Sequence, residues 1–265
     1  MYSTVKLAIK YIKYQITAAN GKGHGIHSPF VFDFITNVLN DKRHFYPYDT
    51  IEYHRNRLYQ NNELLTIEDL GAGSTVTKSN QRKVSSIARS ALKPKKFGQL
   101  MFRMVNHYNV NTIVELGTSL GITTSYFASA NAKGKVFTFE GASQVAKLAK
   151  ANFNALSLDN IDVILGNFDD TLKNNLQKMP QVDLAFVDGN HRKEPTLNYF
   201  HQLMEKVTDH SILIFDDIHW SKEMEQAWAE IQQHPSVTLT IDLFFIGFVF
   251  FRKEQKAPQH FSIRF

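Results

Sequence analysis

The chain has 265 residues, of which 43% are hydrophobic and 21% charged, and its net charge is +5; this composition excludes a disordered or fibrous protein. It has no cysteine, which excludes a disulfide framework, a thiolate nucleophile and every zinc site built on sulfur. No apolar run approaches the ~20 residues of a membrane-spanning helix, so we expect a cytoplasmic protein with no membrane span.

Residues 1–110 are basic, with 16 lysine and arginine residues against 7 acidic ones, and they predict helices and loops. The first helix has an apolar face and a lysine face, formed by Val5, Ile9, Ile12 and Ile16 and by Lys6, Lys10 and Lys13. We expect the apolar face to pack against the rest of the protein. Further helices are predicted over Val31–Leu39, Ile51–Gln60, Lys83–Ala91 and Lys95–His107.

Two loops of this region contain motifs. The segment from Asp69 to Ser74, Asp-Leu-Gly-Ala-Gly-Ser, imitates a cofactor-binding loop after a short strand at Leu64–Ile67. No strand that ends in an acidic residue follows about 20 residues later, as such a loop requires, so we interpret it as a loop without a cofactor. The segment from His24 to Phe30 predicts a loop that leads into a helix, with groups of an acceptor pocket as the alternative.

From residue 111 onward, short runs of β-forming residues alternate with helical stretches. The strands are predicted over Thr112–Leu116, Val136–Glu140, Ile161–Leu165, Leu184–Asp188 and Ile212–Asp216. The helices are predicted over Ile122–Ala130, Ser143–Leu156, Asp169–Gln177, Lys193–Lys206 and Lys222–Gln233. This alternation is typical of an α/β protein with a mostly parallel sheet. Two final strands, Val237–Leu243 and Phe245–Arg252, leave no room for a crossover helix and predict an antiparallel hairpin.

The strongest motif lies where the first of these strands meets its helix, in the segment from Val114 to Thr123. Gly117 permits a sharp turn and a close approach of the backbone to a ligand, and the helix that follows presents free N–H groups. A nicotinamide-binding loop would have a second glycine where this chain has Ser119. Glu140 ends the second strand, where a carboxylate can accept hydrogen bonds from the hydroxyls of an adenosine ribose.

In the order and spacing of these motifs, residues 111–265 resemble the class I S-adenosylmethionine-dependent methyltransferases, and in particular the catechol-type O-methyltransferases. The resemblance implies a Rossmann-like methyltransferase sheet that is mostly parallel with a C-terminal antiparallel hairpin, preceded by a helical N-terminal extension over residues 1–110. It also implies that S-adenosylmethionine is the cofactor. The implied cofactor-binding residues are Glu115, Gly117, Thr118, Ser119, Thr123, Glu140, Asn167, Phe168 and Asp188.

Three carboxylates, those of Asp188, Asp216 and Asp217, follow two neighbouring strands of the predicted sheet and are expected together at its carboxyl edge. In the catechol-type family the matching positions bind Mg²⁺, so the resemblance implies that these residues bind Mg²⁺ or another divalent cation. The chain departs from the family at two positions, since Asp217 stands where the family has asparagine and His191 where it has a lysine base. We therefore expect His191 and Asp188 to be catalytic, with His219 as a second candidate base.

The expected activity is the transfer of a methyl group to a small-molecule acceptor, with oxygen as the preferred acceptor atom. The extension is expected to cover the acceptor site, to form a homodimer contact, or to do both. Nucleic acid is not an expected partner, although the +9 charge balance of residues 1–110 keeps one alternative open. In that alternative, the chain is a degenerate cofactor-binding module whose basic extension binds RNA or an anionic surface.

Overall fold

A computed structural model describes residues 1–67 and 81–265, and the loop predicted from Asp69 to Ser74 lies outside these described residues. Two compact units divide the chain. The central unit is Lys42–Asn175, and the terminal unit combines Met1–Asp41 with Leu176–Phe265. The sequence predicts a functional boundary at residue 110, and that division into an extension and a catalytic domain stays a prediction.

The terminal unit begins with two helices, α1 (Thr4–Thr17) and α2 (Pro29–Phe34), and a π-helical turn, Ile35–Leu39, continues α2. Ser28 caps α2 by accepting a hydrogen bond from the Val31 N–H at 3.4 Å. This serine, followed by proline at the first helical position, explains why a helix starts here. The helix predicted for this segment is confirmed, with a start two residues earlier than expected.

The central unit contains helices followed by three parallel strands with their own helices. Its elements are α3 (Pro47–Gln60), β1 (Leu64–Thr66), β2 (Gln81–Lys83), α4 (Val84–Ala91), α5 (Lys95–Tyr108), β3 (Thr112–Leu116), α6 (Ile122–Ala130), β4 (Lys135–Glu140), α7 (Ser143–Ala155), β5 (Ile161–Leu165) and α8 (Phe168–Leu176), whose last residue belongs to the terminal unit. β1 and β2 pair antiparallel, and β3, β4 and β5 are parallel neighbours in that order. A core cluster joins buried side chains of α3 to α7. The carboxyl ends of β3, β4 and β5 carry the predicted cofactor residues.

The rest of the terminal unit contains strands that are mostly parallel and closes with a hairpin. Its elements are β6 (Leu184–Val187), α9 (Lys193–Met204), β7 (Ile212–Asp216), α10 (Lys222–Gln233), β8 (Leu239–Asp242), β9 (Ile246–Phe250) and β10 (Gln259–Ser262). The strand order in this unit is β10-β8-β9-β7-β6. β6 is parallel to β7, and β9 is antiparallel to both β7 and β8, which confirms the predicted α/β class and its C-terminal hairpin. The sequence does not predict β10, which pairs parallel to β8, because Gln-His-Phe-Ser is not a run of β-forming residues.

The apolar face of α1 is exposed, and the prediction that it packs against the rest of the protein is wrong. The side chains of this face, which expose 59% to 76% of their surface, are Val5, Ile9, Ile12 and Ile16. The opposite face docks instead, with Tyr11 and Tyr14 against the ring of Phe244. Two aromatic rings bury more area than small aliphatic side chains, and the Tyr14 hydroxyl donates to the Ile263 carbonyl oxygen. Neither α1 nor any other helix in the described part of the chain is long and apolar enough to cross a membrane.

Candidate active site

The loop between β3 and α6 has a backbone that few residues can adopt. Gly117 has a φ of +106° and Gly121 a φ of +80°, and Ser119 between them has a φ of +49°. Glycine adopts positive φ at no steric cost, whereas a serine there is strained. Gly121 is the N-cap of α6, and Thr123 lies half-buried in the first turn of that helix, where free N–H groups begin. The turn predicted at Gly117 is confirmed.

Glu140, at the end of β4, fastens this loop. Its Oε2 accepts a hydrogen bond from the Ser119 N–H at 2.8 Å, and its Oε1 accepts one from the Ala142 N–H at 2.9 Å. Burial raises the pKa of the Glu140 carboxyl above its ordinary value, and the backbone hydrogen bonds oppose that rise. The Gly141 N–H also acts on this carboxylate. A carboxylate has about four acceptor positions, so capacity remains for a ribose hydroxyl.

Glu115 and Thr118 belong to a buried network between β3, β4 and α6. Oε2 of Glu115 accepts hydrogen bonds from Thr124 Oγ1 at 2.5 Å and from Thr138 Oγ1 at 2.6 Å. The hydroxyls of Thr118 and Thr138 lie 2.6 Å apart. None of these four side chains exposes more than 3% of its surface, so the network fixes the start of the loop. No sequence pattern points to Thr124 and Thr138, and the contact of Glu115 and Thr118 with a cofactor stays a prediction.

The residues after β5 lead into α8. Gly166 has a φ of +133°, and its N–H donates to the Glu140 carbonyl oxygen at 3.0 Å. Asn167 Oδ1 accepts a hydrogen bond from the Asp169 N–H at 3.1 Å, and Phe168 is half-buried as the first residue of α8. Both predicted adenine-contacting residues therefore lie at the carboxyl end of the strand that neighbours β4. Their contact with an adenine stays a prediction.

In the terminal unit, Asp188, His191 and Asp216 come together and form what we name the Asp–His–Asp cluster. Asp188 follows β6 and Asp216 ends β7, and these strands are parallel neighbours whose carboxyl ends share an edge. One ligand atom from each side chain lies within 4.8 Å of those of the other two. His191 Nε2 and Asp188 Oδ1 are 3.6 Å apart, an ion-pair distance that exceeds a hydrogen bond. Carboxylate oxygens suit Mg²⁺ or Mn²⁺ and imidazole nitrogen suits Zn²⁺ or iron, so the cluster has the donors of a divalent metal site.

The sequence predicts a metal site of Asp188, Asp216 and Asp217, but among the described residues Asp217 is not part of the cluster. His191 takes its place. Successive residues at the end of a strand point to opposite faces, and Asp217 has a φ of +53° that turns the backbone out of β7. Its N–H donates to the Phe245 carbonyl oxygen at 2.6 Å, and its carbonyl oxygen accepts from the Trp220 N–H at 2.9 Å. A metal-binding role for Asp217 stays a prediction that this cluster does not support.

The loop that carries His191 is also strained. Asn190 has a φ of +67° and His191 a φ of +41°. Residues other than glycine adopt positive φ only at a cost in conformational energy, and residues with such strain concentrate at functional sites. Asn190 Nδ2 donates to the Tyr199 hydroxyl at 3.2 Å, and the Trp220 ring lies edge-on to His191 with ring centroids 5.7 Å apart. The imidazole is thereby held between a carboxylate and an aromatic ring.

His219, the second candidate base, is engaged by two carboxylates. Its Nδ1 lies 3.1 Å from Glu225 Oε1, and its Nε2 lies 2.8 Å from Asp242 Oδ2. Burial alone would lower the pKa of His219, but the two carboxylates outweigh it and the pKa is raised. Glu225 also accepts hydrogen bonds from the Tyr2 hydroxyl at 2.7 Å and from Lys10 Nζ at 2.8 Å. His219 is thus part of the network that anchors α1, and no sequence pattern points to its partners.

Residues 114–218 match the family model of a methyltransferase domain. No curated protein matches the sequence. Among solved structures, a methyltransferase from Podospora anserina bound to S-adenosylhomocysteine is similar with a TM-score of 0.61 and 14% identity, over 85% of this chain and 97% of that one.

Two further structures are O-methyltransferases. One, from Bacillus cereus in complex with S-adenosylhomocysteine, has a TM-score of 0.55 and 17% identity over 83% of this chain and 97% of that one. The other, TomG from Streptomyces achromogenes in complex with S-adenosylmethionine, is involved in tomaymycin synthesis. It has a TM-score of 0.53 and 14% identity over 61% of this chain and 82% of its own. At these identities, the likeness is one of fold.

Proposed function

We propose that this chain is a class I methyltransferase that transfers a methyl group from S-adenosylmethionine to an oxygen atom of a small-molecule acceptor, and its matching methyltransferase domain and its fold support the proposal. The observation that carries the proposal is the loop between β3 and α6, which Glu140 holds in a strained conformation beside the free N–H groups of α6. Structural neighbours in complex with S-adenosylmethionine or S-adenosylhomocysteine support the cofactor, and the two O-methyltransferases support oxygen as the acceptor atom.

The cofactor is assigned to the carboxyl ends of β3, β4 and β5. Glu140 accepts a hydrogen bond from the ribose, because its carboxylate keeps acceptor capacity after binding the loop. Asn167 and Phe168 flank the adenine. The methionine part is assigned to the loop and its surroundings, with Glu115, Gly117, Thr118, Ser119 and Thr123. When bound, S-adenosylmethionine supplies the methyl group on its sulfonium sulfur.

The acceptor hydroxyl is assigned to the Asp–His–Asp cluster, in which His191 is the general base. His191 Nε2 faces Asp188, so Nδ1 is the nitrogen that takes the proton from the acceptor. The carboxylates of Asp188 and Asp216 then stabilise the imidazolium. A positioned base of this kind contributes about 10²- to 10⁴-fold to the rate. Trp220, edge-on to His191, keeps the ring in place.

The same cluster also fits a divalent cation, which Asp188, Asp216 and His191 would hold. Asp216 is 1% exposed and lies beside a second carboxylate, and a cation offsets the cost of burying two such charges together. When bound, the cation lowers the pKa of an acceptor hydroxyl. Treatment of the enzyme with EDTA followed by Mg²⁺ or Mn²⁺ separates the two roles. If EDTA abolishes turnover and the added cation restores it, the cluster binds a metal. If EDTA leaves turnover unchanged, His191 acts as the base without a metal.

The methyltransferase proposal is tested by ligand-induced changes in the melting temperature, because a ligand that binds the folded state raises Tm. We expect S-adenosylmethionine and S-adenosylhomocysteine to raise Tm and NAD to leave it unchanged. Transfer of a labelled methyl group to a panel of phenols, catechols and amines then identifies the acceptor atom. A rise in Tm with NAD alone would contradict the proposal, and methylation of amines alone would replace oxygen with nitrogen.

The partners and the location of the protein stay predictions from the sequence. The partner is a small-molecule acceptor, a homodimer through the N-terminal extension is a further prediction, and the predicted location is the cytoplasm. The RNA-binding or surface-binding module that the sequence left as an alternative gains no support from a match to a methyltransferase domain.

A further inference from the structure

The exposed apolar face of α1 forms a stripe that the proposed function does not use. The stripe consists of Val5, Ile9, Ile12 and Ile16, each with more than half of its surface exposed. Other large aliphatic side chains with such exposure in the described ranges, at Met1, Leu64 and Leu165, do not line up on one helix. We propose that the stripe is a dimerisation surface and that its occupant is the same stripe of a second copy of this chain.

The stripe has no partner to gain within its own unit, because the opposite face of α1 is already docked. Tyr2 and Lys10 bind Glu225 of α10, with contacts of 2.7 Å and 2.8 Å. Tyr14 is buried, and Ala19, just after α1, forms a parallel bridge with Ile263. Rotation of α1 to bury the stripe would break these contacts. A second molecule can cover the stripe without breaking them.

The spacing of the stripe is that of a helix pair. Steps of four, three and four residues place Ile9 and Ile16 at the a positions and Val5 and Ile12 at the d positions of a heptad. Such a strict a and d stripe is the narrow seam of a coiled coil, whereas a helix that lies on a membrane has a broader apolar face with aromatic side chains. The narrow aliphatic stripe therefore favours a second α1 over a lipid surface.

The charges beside the stripe select the orientation of the pair. The e positions are Lys6 and Lys13, and the g positions are Ala8 and Gln15. In a parallel pair an e position faces the g position five residues earlier in the partner, so Lys13 faces the partner's Ala8, and the position that Lys6 would face precedes the helix. In an antiparallel pair, by contrast, lysines face lysines and repel each other. The pair is therefore parallel, with the two-fold axis along the helices.

The size of the stripe sets the strength of the dimer. Four side chains per copy place the buried area near the lower limit of specific interfaces, which is about 1,000 Å² in total. We expect a dimer that dissociates in the micromolar range, so its population depends on protein concentration.

Sedimentation velocity of the full chain over a concentration series tests the dimer. We expect the unchanged chain to dimerise and the double variant Ile9→Glu with Ile12→Glu to raise the dissociation constant by at least tenfold. The matched control is Tyr53→Glu, which changes another exposed hydrophobic side chain, 68% exposed on α3, and should dimerise as the unchanged chain does. Circular dichroism and S-adenosylhomocysteine binding report whether the variants remain folded.

Cross-linking tests the same surface independently, because the chain has no cysteine. In a parallel pair, Ile9→Cys and Ile16→Cys each place a thiol opposite its own copy, so mild oxidation should give covalent dimers, while Tyr53→Cys should not. A chain that is monomeric up to about 100 µM and forms no cross-link overturns the proposal. Binding to phosphatidylserine vesicles that the Glu variant loses, without any dimer in solution, also overturns it and assigns the stripe to a membrane.

Discussion

The cofactor loop of the central unit and the Asp–His–Asp cluster of the terminal unit hold their functional groups in different ways. The loop relies on the backbone: its glycines have positive φ, and Glu140 binds the N–H of Ser119. The cluster relies on side chains: Asp188 and Asp216 lie at two strand ends, and His191 lies in the loop after β6, where its own backbone is strained. The loop should therefore tolerate few backbone changes, and the cluster should tolerate few side-chain changes.

The largest effect is expected in the cluster, on the rate of methyl transfer. His191→Ala removes the proposed base, so we expect kcat to fall by about 10²- to 10⁴-fold while S-adenosylhomocysteine affinity remains unchanged. The matched control, His210→Ala, removes an exposed histidine of the same unit and should retain full activity. Equal activity of His191→Ala and the unchanged enzyme would exclude His191 as the base and as a metal ligand.

A smaller effect is expected in the loop, on cofactor affinity. Glu140→Ala removes charged hydrogen-bond acceptors that contribute about 1.5–3 kcal/mol per bond before water compensates the freed hydroxyls. The net loss is therefore closer to that of one bond, and calorimetry should show S-adenosylhomocysteine binding weakened by about 10- to 100-fold. The control Asp162→Asn alters an exposed carboxylate on β5 and should bind normally. Because burial raises the pKa of Glu140, affinity should fall with decreasing pH at a higher pH than an ordinary carboxyl would give. Unchanged affinity would remove Glu140 from the site.

The close packing of the loop is tested at Gly121, against a control glycine with the same positive φ and open space around it. A Cβ at this position would lie 2.4 Å from Phe153 Cε1 at a φ of +80°, whereas Gly25 has a φ of +79° with no atom within 4 Å of an added Cβ. Gly25→Ala should cost about 1 kcal/mol in free energy of unfolding for the positive φ alone. Gly121→Ala should cost about 1–3 kcal/mol more, since the Phe153 ring must move. Equal costs in urea unfolding would show that the ring yields freely.

These two regions also differ in how far the sequence predicts them. The turn at Gly117 and the acid at Glu140 follow from spacing along the chain, because a strand, a turn and a helix are local structures. The membership of the cluster depends instead on which way neighbouring side chains point at the end of β7. The side chain of Asp216 points into the cluster, whereas Asp217 is not part of it. The sequence alone does not reveal the positive φ of Asp217.

Helix α1 shows a further reason why a prediction from the sequence can be wrong. Periodicity correctly identifies Val5, Ile9, Ile12 and Ile16 as one face, but it does not say what that face contacts. The docked face is chosen by tertiary contacts, namely two tyrosines against Phe244 and the binding of Lys10 to Glu225. These partners are more than 200 residues away in the sequence, beyond the reach of any local pattern.

The smallest effect is expected from His219, which lies outside both regions and anchors α1. Its pKa is raised in the folded state, because Asp242 and Glu225 outweigh the effect of burial, so its ion pairs stabilise the fold fully below its unfolded pKa. That stabilisation is lost as the pH rises through the raised folded pKa. We expect His219→Gln to remove this decrease, a change of less than about 1 kcal/mol in the free energy of unfolding.

His234 should change stability with pH in the opposite direction, because burial and, to a smaller extent, His201 lower its pKa. His234→Gln should therefore remove a loss of stability that appears as the pH falls. Urea unfolding from pH 5.5 to 8.5 distinguishes them, and parallel pH profiles for His219→Gln and the unchanged chain would show that the two carboxylates leave the charge of this imidazole without effect on folding.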